Sequence, residues 1–337
     1  MNPWHPALYD HWYAVARTSR IGRAPVAISL LDRHIALART EAGNWLALED
    51  RCPHRHAPLS AGCVQGDHLV CTYHGWSFGA DGGLKRVPGL AQDTSPPNVR
   101  VRHFAVQELD GFVWLRPGDG GASAPSALMR ETDGATRRFQ WQTRWSAHVV
   151  DAMENFLDPL HTHFVHAGLV RRDGARMPMD ARFRGTTEGF TVDYSGRPSQ
   201  SGLLYRLFES ERTVERAHFA APGTARLEYG YANGSRVLID LHFTPVAADA
   251  TDVFVGLHVE GRWAPAWAVR LLAWPFLKRV NAQDAAMLAL QADNRRRFPG
   301  RRGASTELDI VRDALEAFWI RGETPAPSAE RLVRMML

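Results

Sequence analysis

The chain has 337 residues, of which 45% are apolar and 23% are charged. This composition is ordinary for a globular protein with a sizeable core, and the length suits two domains, so disordered and fibrous classes are excluded. Lysine and arginine number 40 against 36 acidic residues, and the resulting net charge of +4 gives no reason to expect nucleic acid as a partner.

The sequence predicts neither a membrane span nor a secretion signal. The longest apolar stretch, Trp263 to Leu277, has only 15 residues and is interrupted by Arg270. The N-terminus mixes charged residues among its apolar ones and lacks the continuous apolar centre of a signal peptide. We therefore expect a cytoplasmic protein without membrane contact. Its three cysteines are too few for a disulfide scaffold, so reduced thiols or metal ligands are favoured.

Residues 14 to 116 contain short strand-like runs separated by Gly, Pro and Asp, which predict a small all-β domain. The runs are Val26–Leu30, Ile35–Arg39, Trp45–Leu48, Leu69–Thr72 and Gly111–Leu115. A stretch rich in Gly, Pro, Ser and Ala follows from Pro117 to Ser126 and indicates a connector. The predicted division is a first domain at 1–118, a linker at 119–126 and a second domain at 127–337.

The second half of the chain combines helical and strand-like segments. Trp145 to His166 contains no glycine and predicts a helix, which Pro159 ends or kinks near Asp158. A run of strand candidates lies between Phe183 and Val259. Two more helices are predicted, over Ala264–Arg297 and Thr306–Ile320. This order indicates an α+β domain in which helices pack on an antiparallel sheet.

Two short motifs in the first domain combine cysteine with histidine. Cys52-Pro-His54 and Cys71-Thr-Tyr-His74 are separated by 16 residues, and each lies in a turn after a strand candidate. Two thiolates and two imidazoles suit either a closed tetrahedral zinc site or a Rieske-type [2Fe-2S] cluster, in which the thiolates hold one iron and the imidazoles the other. Spacing alone leaves both open, because metal preference depends on geometry.

A second constellation lies in the first predicted helix of the second domain. It follows the pattern Asn-x2-Asp-x2-His-x4-His, formed by Asn155, Asp158, His161 and His166. On an ideal helix His161 and His166 lie about 140° apart, so periodicity alone would rather pair His163 with His166. Pro159 gives a physical reason for the helix to depart from ideal geometry. The alternative is a histidine-rich helix end that binds no metal.

Both constellations resemble motifs of one family. CPHRHAPLSAG and CTYHGWSFGADGGL resemble the Rieske domains of ring-hydroxylating oxygenases, and the second pattern resembles the mononuclear iron motif of their α subunits. The chain is therefore identified as similar to the terminal oxygenase of Rieske non-haem iron oxygenases, and its length resembles the vanillate and dicamba O-demethylase group. The resemblance implies an all-β Rieske domain followed by a helix-grip (SRPBCC-like) catalytic domain.

For the first domain, the resemblance implies four ligands of a [2Fe-2S] cluster, namely Cys52, His54, Cys71 and His74. Replacing two thiolates by neutral imidazoles raises the reduction potential of such a cluster relative to an all-cysteine ferredoxin. The remaining thiol, Cys63, is expected to be a small packed side chain without a redox role.

For the second domain, the resemblance implies a mononuclear Fe(II) held by two histidines and one carboxylate, His161, His166 and Asp284. Asp293 is the second candidate for the carboxylate, and an acid on a helix surface is the alternative for both. Asp158 and Asn155 are the catalytic candidates. Asp158 would bridge His161 to a cluster histidine, His74, of a neighbouring subunit, and Asn155 would lie near the iron.

The activity implied is oxygenation of a small, aromatic substrate. A separate flavin reductase, with or without a ferredoxin, would pass electrons from NAD(P)H to the cluster, and the chain would form a homotrimer. Hydroxylation or O- or N-demethylation by a mono-oxygenase is favoured. The alternatives are ring cis-dihydroxylation, an electron-carrier Rieske protein without catalysis, and a zinc-stabilised binding module. The intact second constellation favours an oxygenase over a carrier.

Overall fold

The structure is a computed structural model of the chain. It describes residues 4–121, 124–125, 137–171, 176–196, 211–261, 267, 269–300 and 303–337. Two compact units are present, one of Met1–Asn2 with Tyr9–Pro125 and one of Pro3–Leu8 with Ser126–Leu337. Within the described ranges, none of the helices has the length and apolar character needed to cross a membrane.

The first unit contains ten strands and no long helix among its described residues. Strands β1 to β10 are Tyr13–Arg17, Val26–Leu30, Arg33–Arg39, Trp45–Glu49, Cys63–Gln65, His68–Val70, Ser77–Phe78, Leu84–Arg86, Ala105–Leu109 and Phe112–Arg116. They form three antiparallel sheets with the orders β1-β10-β9, β2-β3-β4 and β5-β6-β7-β8. The prediction of an all-β first domain is confirmed.

The core of the first unit anchors the two Cys/His loops. Leu48, Leu69 and Phe78 are fully buried, and Cys52 and Cys71 belong to the same apolar cluster. Full burial of one large apolar side chain contributes about 1.5–3 kcal/mol, so this cluster holds the loops in place without help from a disulfide.

The second unit is an eight-stranded antiparallel sheet with three α-helices among its described residues. Strands β11 to β18 are Arg137–Trp145, Pro178–Gly185, Gly189–Gly196, Arg212–Ala220, Thr224–Tyr231, Arg236–Ala247, Ala250–Glu260 and Glu330–Met336. Their order is β11-β17-β16-β15-β14-β13-β12-β18. Helices α1 to α3 are Val149–Leu157, Trp274–Arg297 and Arg312–Arg321. The α+β prediction is confirmed.

Side chains alternate between the two faces of the sheet along β15, β16 and β17, so one face can be apolar while the other carries charged residues. Leu227, Leu241 and Val255 face a cavity. Arg226 and Asp240 lie on the opposite face and are each about 1% exposed, with Arg226 donating from Nε to Asp240 Oδ1 at 2.5 Å. His258 Nε2 lies 3.3 Å from Asp240 Oδ2. The apolar face therefore lines a cavity, while the opposite face contains a buried ion pair.

The N-terminal segment differs from the predicted division of the chain. Trp4 stacks on His148 and meets Trp319 edge-on, with ring centroids 6.1 and 6.4 Å apart. Residues 3–8 therefore group with the second unit, whereas the sequence assigns 1–118 to the first domain. The physical reason is that the sequence shows that an apolar side chain such as Trp4 favours burial but does not show which of the two units buries it. The predicted linker, 119–126, lies partly outside the described residues.

The long C-terminal helix starts later than the sequence predicts. The prediction runs over 264–297, but α2 begins at Trp274, after a π-helical turn at Val269–Ala273. Residues 262–266 and 268 lie outside the described residues. The end at Arg297 agrees with the prediction.

Candidate metal centres and substrate cavity

The two Cys/His loops share one backbone arrangement. The backbone N–H of Cys52 donates to the carbonyl of Ala57, and the N–H of Cys71 donates to that of Trp76, five residues further along in both loops. The carbonyl of each cysteine accepts a hydrogen bond from the backbone N–H four residues further along. The residues at that fourth position, His56 and Gly75, have positive φ angles of 59° and 70°. This left-handed conformation turns each loop back on itself, and glycine adopts it without steric cost.

The four predicted cluster ligands lie together in the first unit. Cys52 and Cys71 are each 2% exposed, and the rings of His54 and His74 have centroids 4.5 Å apart. His54 Nδ1 is buried and has no hydrogen-bond partner among the described residues. Burial raises the pKa of the Cys52 thiol, and the adjacent Cys71 thiol raises it further. Two buried thiols and a buried ring nitrogen that has no partner among the described residues fit a [2Fe-2S] group, which Cys52 and Cys71 would hold through sulfur and His54 and His74 through nitrogen.

Two aromatic side chains orient the imidazoles. Trp76 stacks on His54 with ring centroids 4.7 Å apart and the planes only 4° from parallel. Tyr73 lies 3.9 Å from the His74 ring and is itself exposed. Both residues belong to the sequence stretch that resembles Rieske domains, and the structure adds that they contact the rings of His54 and His74.

The side chain of Cys63 is not buried, although the sequence predicts that it packs in the core. It is exposed on β5, and the prediction of a packed side chain is wrong. The physical reason is that β5 has only three residues and lies at the edge of its sheet, where outward-facing side chains meet solvent.

His161, His166 and Asp284 converge in the second unit. Asp284 Oδ1 lies 3.0 Å from His166 Nε2 and 3.5 Å from His161 Nε2. One ligand atom from each residue can be chosen so that all lie within 4.8 Å of one another. Asp293, the second candidate for the carboxylate, lies elsewhere on α2 and forms an exposed ion pair with Arg296.

The end of α1 explains how two histidines at a non-helical spacing meet. The helix ends at Leu157, and the chain continues as a 3₁₀ turn over Leu160–His163. Asp158 caps this turn, because its Oδ1 accepts from the Leu160 N–H at 2.8 Å and its Oδ2 from the His161 N–H at 3.3 Å. The departure from ideal helix geometry that Pro159 suggested therefore places the two imidazole rings 5.2 Å apart.

Gln283 is a functional candidate that the sequence did not reveal. Its Oε1 lies 3.0 Å from His166 Nδ1, and because an amide oxygen can only accept a hydrogen bond, the Nδ1–H of His166 is the donor. This hydrogen bond fixes the tautomer, so His166 Nε2 presents its lone pair toward Asp284 and His161. His161 Nδ1 has a more distant partner in Asp158 Oδ2, at 3.8 Å. The only signal in the sequence was adjacency to Asp284, which does not say where a side chain points.

The charges of this group favour a cation. Burial lowers the pKa of His161, but the carboxylates of Asp158 and Asp284 outweigh it and raise the pKa to about 9. Burial raises the pKa of Asp284, but His161 and His166 bring it below its ordinary value. His166 Nε2 and Asp284 Oδ1 are buried without a well-directed hydrogen bond. Two imidazoles and one carboxylate with such orphaned atoms fit a mononuclear Fe(II) with open positions.

His161, His166 and Asp284 line a cavity of about 140 Å³. Helix α2 presents Leu277, Val280, Asn281 and Asp284 to it, the spacing of one helix face. Asn155 on α1 also lines the cavity, and its Nδ2 is buried without a hydrogen-bond partner among the described residues. The wall is mostly apolar and includes Trp141, Trp145, Phe156, Leu227, Tyr229, Ile239, Leu241 and Val255. A cavity of about 150 Å³ holds benzene, so this one suits a single aromatic ring.

Comparison with known families agrees with this geometry. Residues 11–105 match the Rieske [2Fe-2S] domain. Residues 145–315, more than half of the chain, match the vanillate O-demethylase oxygenase C-terminal domain. The chain belongs to the Rieske non-haem iron oxygenases. The cofactors of this family are a Rieske [2Fe-2S] cluster and a mononuclear non-haem iron, and the donor sets described above fit both.

Individual relatives match this Rieske oxygenase over part of their length. It is 35% identical over 170 residues to a putative toluene-4-sulfonate monooxygenase system iron-sulfur subunit of Comamonas testosteroni, covering 49% of this chain and 48% of that protein. It is 32% identical over 165 residues to the dicamba O-demethylase oxygenase component of Stenotrophomonas maltophilia, covering 48% of each. The chain thus spans about half the length of these relatives.

Solved structures share the fold over nearly the whole chain. Dicamba monooxygenase bound to dicamba matches with a TM-score of 0.76 and 21% identity, covering 94% of this chain and 97% of that one. NdmA of Pseudomonas putida CBB5 with caffeine matches with a TM-score of 0.74 and 23% identity, covering 94% and 90%. The architecture of this Rieske oxygenase is therefore that of its family.

Proposed function

We propose that this chain is a terminal oxygenase component that hydroxylates, or O- or N-demethylates, a small aromatic substrate. The observation that supports this most is the convergence of His161, His166 and Asp284 at an apolar cavity large enough for one ring. When bound there, Fe(II) supplies oxygen activation at the positions that two histidines and one carboxylate leave open. Electrons would come from a separate flavin reductase through the [2Fe-2S] cluster held by Cys52, His54, Cys71 and His74.

The residues of the chain have distinct tasks in this proposal. The aromatic and aliphatic wall, with Trp141 and Phe156, binds the substrate ring and excludes water from the reacting centre. Gln283 holds the proton on His166 Nδ1 and keeps Nε2 available for the metal. Asn155 lies in the same wall and offers a buried amide N–H to a bound molecule.

Asp158 is proposed as the bridge between the two centres. Its side chain is 30% exposed and lies 3.8 Å from His161 Nδ1, so it can be reached by a second donor from outside the unit. In a homotrimer that donor would be the exposed imidazole of His74 from a neighbouring chain. A carboxylate shared by two metal-ligating histidines orients both rings and raises their basicity.

The Asp158→Asn variant is expected to retain both metals but to lose turnover by about 10- to 100-fold, the usual effect of removing a carboxylate that orients a metal-ligating histidine. Asparagine keeps one oxygen to cap the turn but has no charge for the two imidazoles. Cluster reduction by the reductase and iron content should match the wild type. Asp249→Asn, at an exposed carboxylate paired with Arg296, is the control. Unchanged turnover in Asp158→Asn would contradict the bridging role.

The Gln283→Leu variant is expected to bind Fe(II) about 10- to 100-fold more weakly, because the His166 Nδ1–H loses its buried acceptor. Gln283→Glu should retain affinity, since a carboxylate accepts the same hydrogen bond. Titration of metal-free protein with Fe(II) under anaerobic conditions measures both. Gln291→Leu on the same helix serves as control, and equal affinity for all three variants would show that Gln283 does not orient the ligand.

The direct test of the proposed function uses purified protein loaded with both cofactors, a surrogate reductase and NADH. Methoxy-aromatic and N-methyl compounds are screened for oxygen uptake and formaldehyde release. Formaldehyde indicates demethylation, and a hydroxylated product without formaldehyde indicates hydroxylation. A cluster that reduces normally while no compound is oxidised across the panel would contradict the proposal and favour an electron carrier.

A further inference from the structure

The two imidazoles of the candidate cluster site lie in different surroundings. The His54 ring is half-buried, and the indole of Trp76 stacks on it with ring centroids 4.7 Å apart and planes 4° from parallel. The His74 ring is exposed, and the neighbouring Tyr73 ring, which is tilted by 37° from it, is exposed as well. Stacking thus shields His54 from water, whereas His74 stays open to a partner from outside.

Trp76 is held in place by contacts with both Cys/His loops and with the core. Its backbone carbonyl accepts from the Cys71 N–H at 2.8 Å and closes the second loop. Its side chain packs against the apolar cluster that includes Cys52 and Cys71, and it contacts His54 in the first loop. Because its backbone and its side chain are both engaged, Trp76 joins the two loops and keeps its indole against the His54 ring.

The face of an indole ring attracts positive charge. Its π electrons give the face a negative character, and tryptophan offers the best such face among the aromatic side chains. An imidazole bound to iron carries more positive character when the cluster is oxidised than after the cluster accepts one electron. The Trp76 indole therefore stabilises the oxidised form more than the reduced form. The indole also keeps water from the His54 ring, and water would favour the reduced form with its added negative charge.

We propose that Trp76 is a positioning residue that holds the His54 ligand and lowers the reduction potential of the [2Fe-2S] cluster. The inference goes beyond the proposed function, because it concerns the cluster site alone and applies to an electron carrier as well as to an oxygenase. Two imidazole ligands raise the potential above that of an all-cysteine cluster, and the indole offsets part of that rise. A lower potential makes the reduced cluster a stronger donor, so Trp76 favours the onward transfer of each electron.

A potentiometric titration of the cluster-loaded protein tests the inference without reductase or substrate. The electron paramagnetic resonance signal of the reduced cluster gives the potential. Trp76→Leu should raise the equilibrium constant for one-electron reduction by about fivefold to tenfold, which is about 40–60 mV at 59 mV per tenfold. Trp76→Phe keeps a stacked ring with a weaker negative face, so it should raise the constant by about twofold, or about 20 mV.

Trp45→Phe is the matched control in the same unit. Trp45 lies on β4, where the Arg39 guanidinium stacks over its ring at 3.8 Å, so the same chemical change is made at a residue that contacts neither cluster histidine in the described structure. The potential should stay at the wild-type value. Iron and sulfide content verify that every variant carries a full cluster, and thermal unfolding verifies that it is folded.

A second measurement separates a shift in potential from a general loss of structure. Pulsed electron paramagnetic resonance detects the coupling of the reduced cluster to the nitrogen of each imidazole ligand. Trp76→Leu should change the coupling of one imidazole and leave that of the other, because the indole stacks on His54 and not on His74. Trp45→Phe should change neither coupling.

Several outcomes would overturn the inference. The potential of Trp76→Leu could equal that of the wild type or fall below it, or Trp76→Phe and Trp45→Phe could shift the potential equally. If Trp76→Leu does not retain its cluster, Trp76→Phe decides, and an unchanged potential in that variant contradicts the inference. A wild type that takes up no [2Fe-2S] cluster would also contradict it. The proposed function fails separately: the expected shifts in a protein that oxidises no substrate would contradict the oxygenase and keep the inference.

Discussion

The Asp284→Asn variant is expected to leave the mononuclear site nearly without iron. Asp284 supplies the only carboxylate in the group with His161 and His166, and its Oδ1 lies 3.0 Å from His166 Nε2. Asparagine keeps the shape but removes the negative charge that offsets the metal. We expect Fe(II) affinity to fall by about 100-fold or more, at or beyond the upper end seen for residues that only orient a ligand. Iron analysis together with the absorbance of the [2Fe-2S] cluster measures this, since the cluster should remain.

Asp293→Asn is the matched control on the same helix. Asp293 is more than half exposed and pairs with Arg296, so its replacement should leave iron content and turnover unchanged. Loss of iron in Asp293→Asn with retention in Asp284→Asn would reverse the assignment of the carboxylate ligand. Equal iron content in both variants would show that neither residue binds the metal.

The Asp240→Leu variant is expected to destabilise the second unit by about 3–5 kcal/mol. Asp240 and Arg226 are each about 1% exposed and are joined by hydrogen bonds of 2.5 and 2.9 Å, and His258 Nε2 lies 3.3 Å from the same carboxylate. Removing the carboxylate leaves a buried guanidinium without its counterion. For a unit of this size such a loss lowers the midpoint of thermal unfolding by about 6–20 °C.

The control for this stability change is an exposed pair. Glu323→Gln removes one partner of Arg321, and both side chains are more than half exposed, so the unfolding midpoint should not change measurably. Thermal unfolding followed by circular dichroism compares the two variants. Similar midpoints for Asp240→Leu and the wild type would show that the buried pair does not stabilise the fold.

Much of the fold could be predicted from local patterns. The runs of apolar residues between turn-forming residues give β2 at Val26–Leu30 with its observed bounds, and Pro159 gives the end of α1 within about one residue of Asp158. These features depend on neighbouring residues, which a sequence shows directly. The late start of α2 and the grouping of residues 3–8 with the second unit depend on packing between distant segments, so patterns could not reveal them.

For the candidate site too, the sequence reveals what depends on neighbouring residues and does not reveal contacts between distant segments. The two Cys/His motifs and the His161/His166 pattern could be found because spacing and resemblance mark them. The resemblance ranked Asp284 ahead of Asp293 as the carboxylate, but spacing alone could not choose between them, because both lie on one predicted helix. Gln283 could not be found, since its role comes from a contact with His166, which is 117 residues away in the chain.

The number of iron and sulfide ions per chain is the most direct test of whether two different iron centres occupy this protein. Anaerobically reconstituted protein should contain about three irons and about two acid-labile sulfides per chain, with a Rieske signal in the electron paramagnetic resonance spectrum after reduction. Zinc without labile sulfide, or a Rieske signal with no iron beyond the cluster, would contradict the presence of two centres.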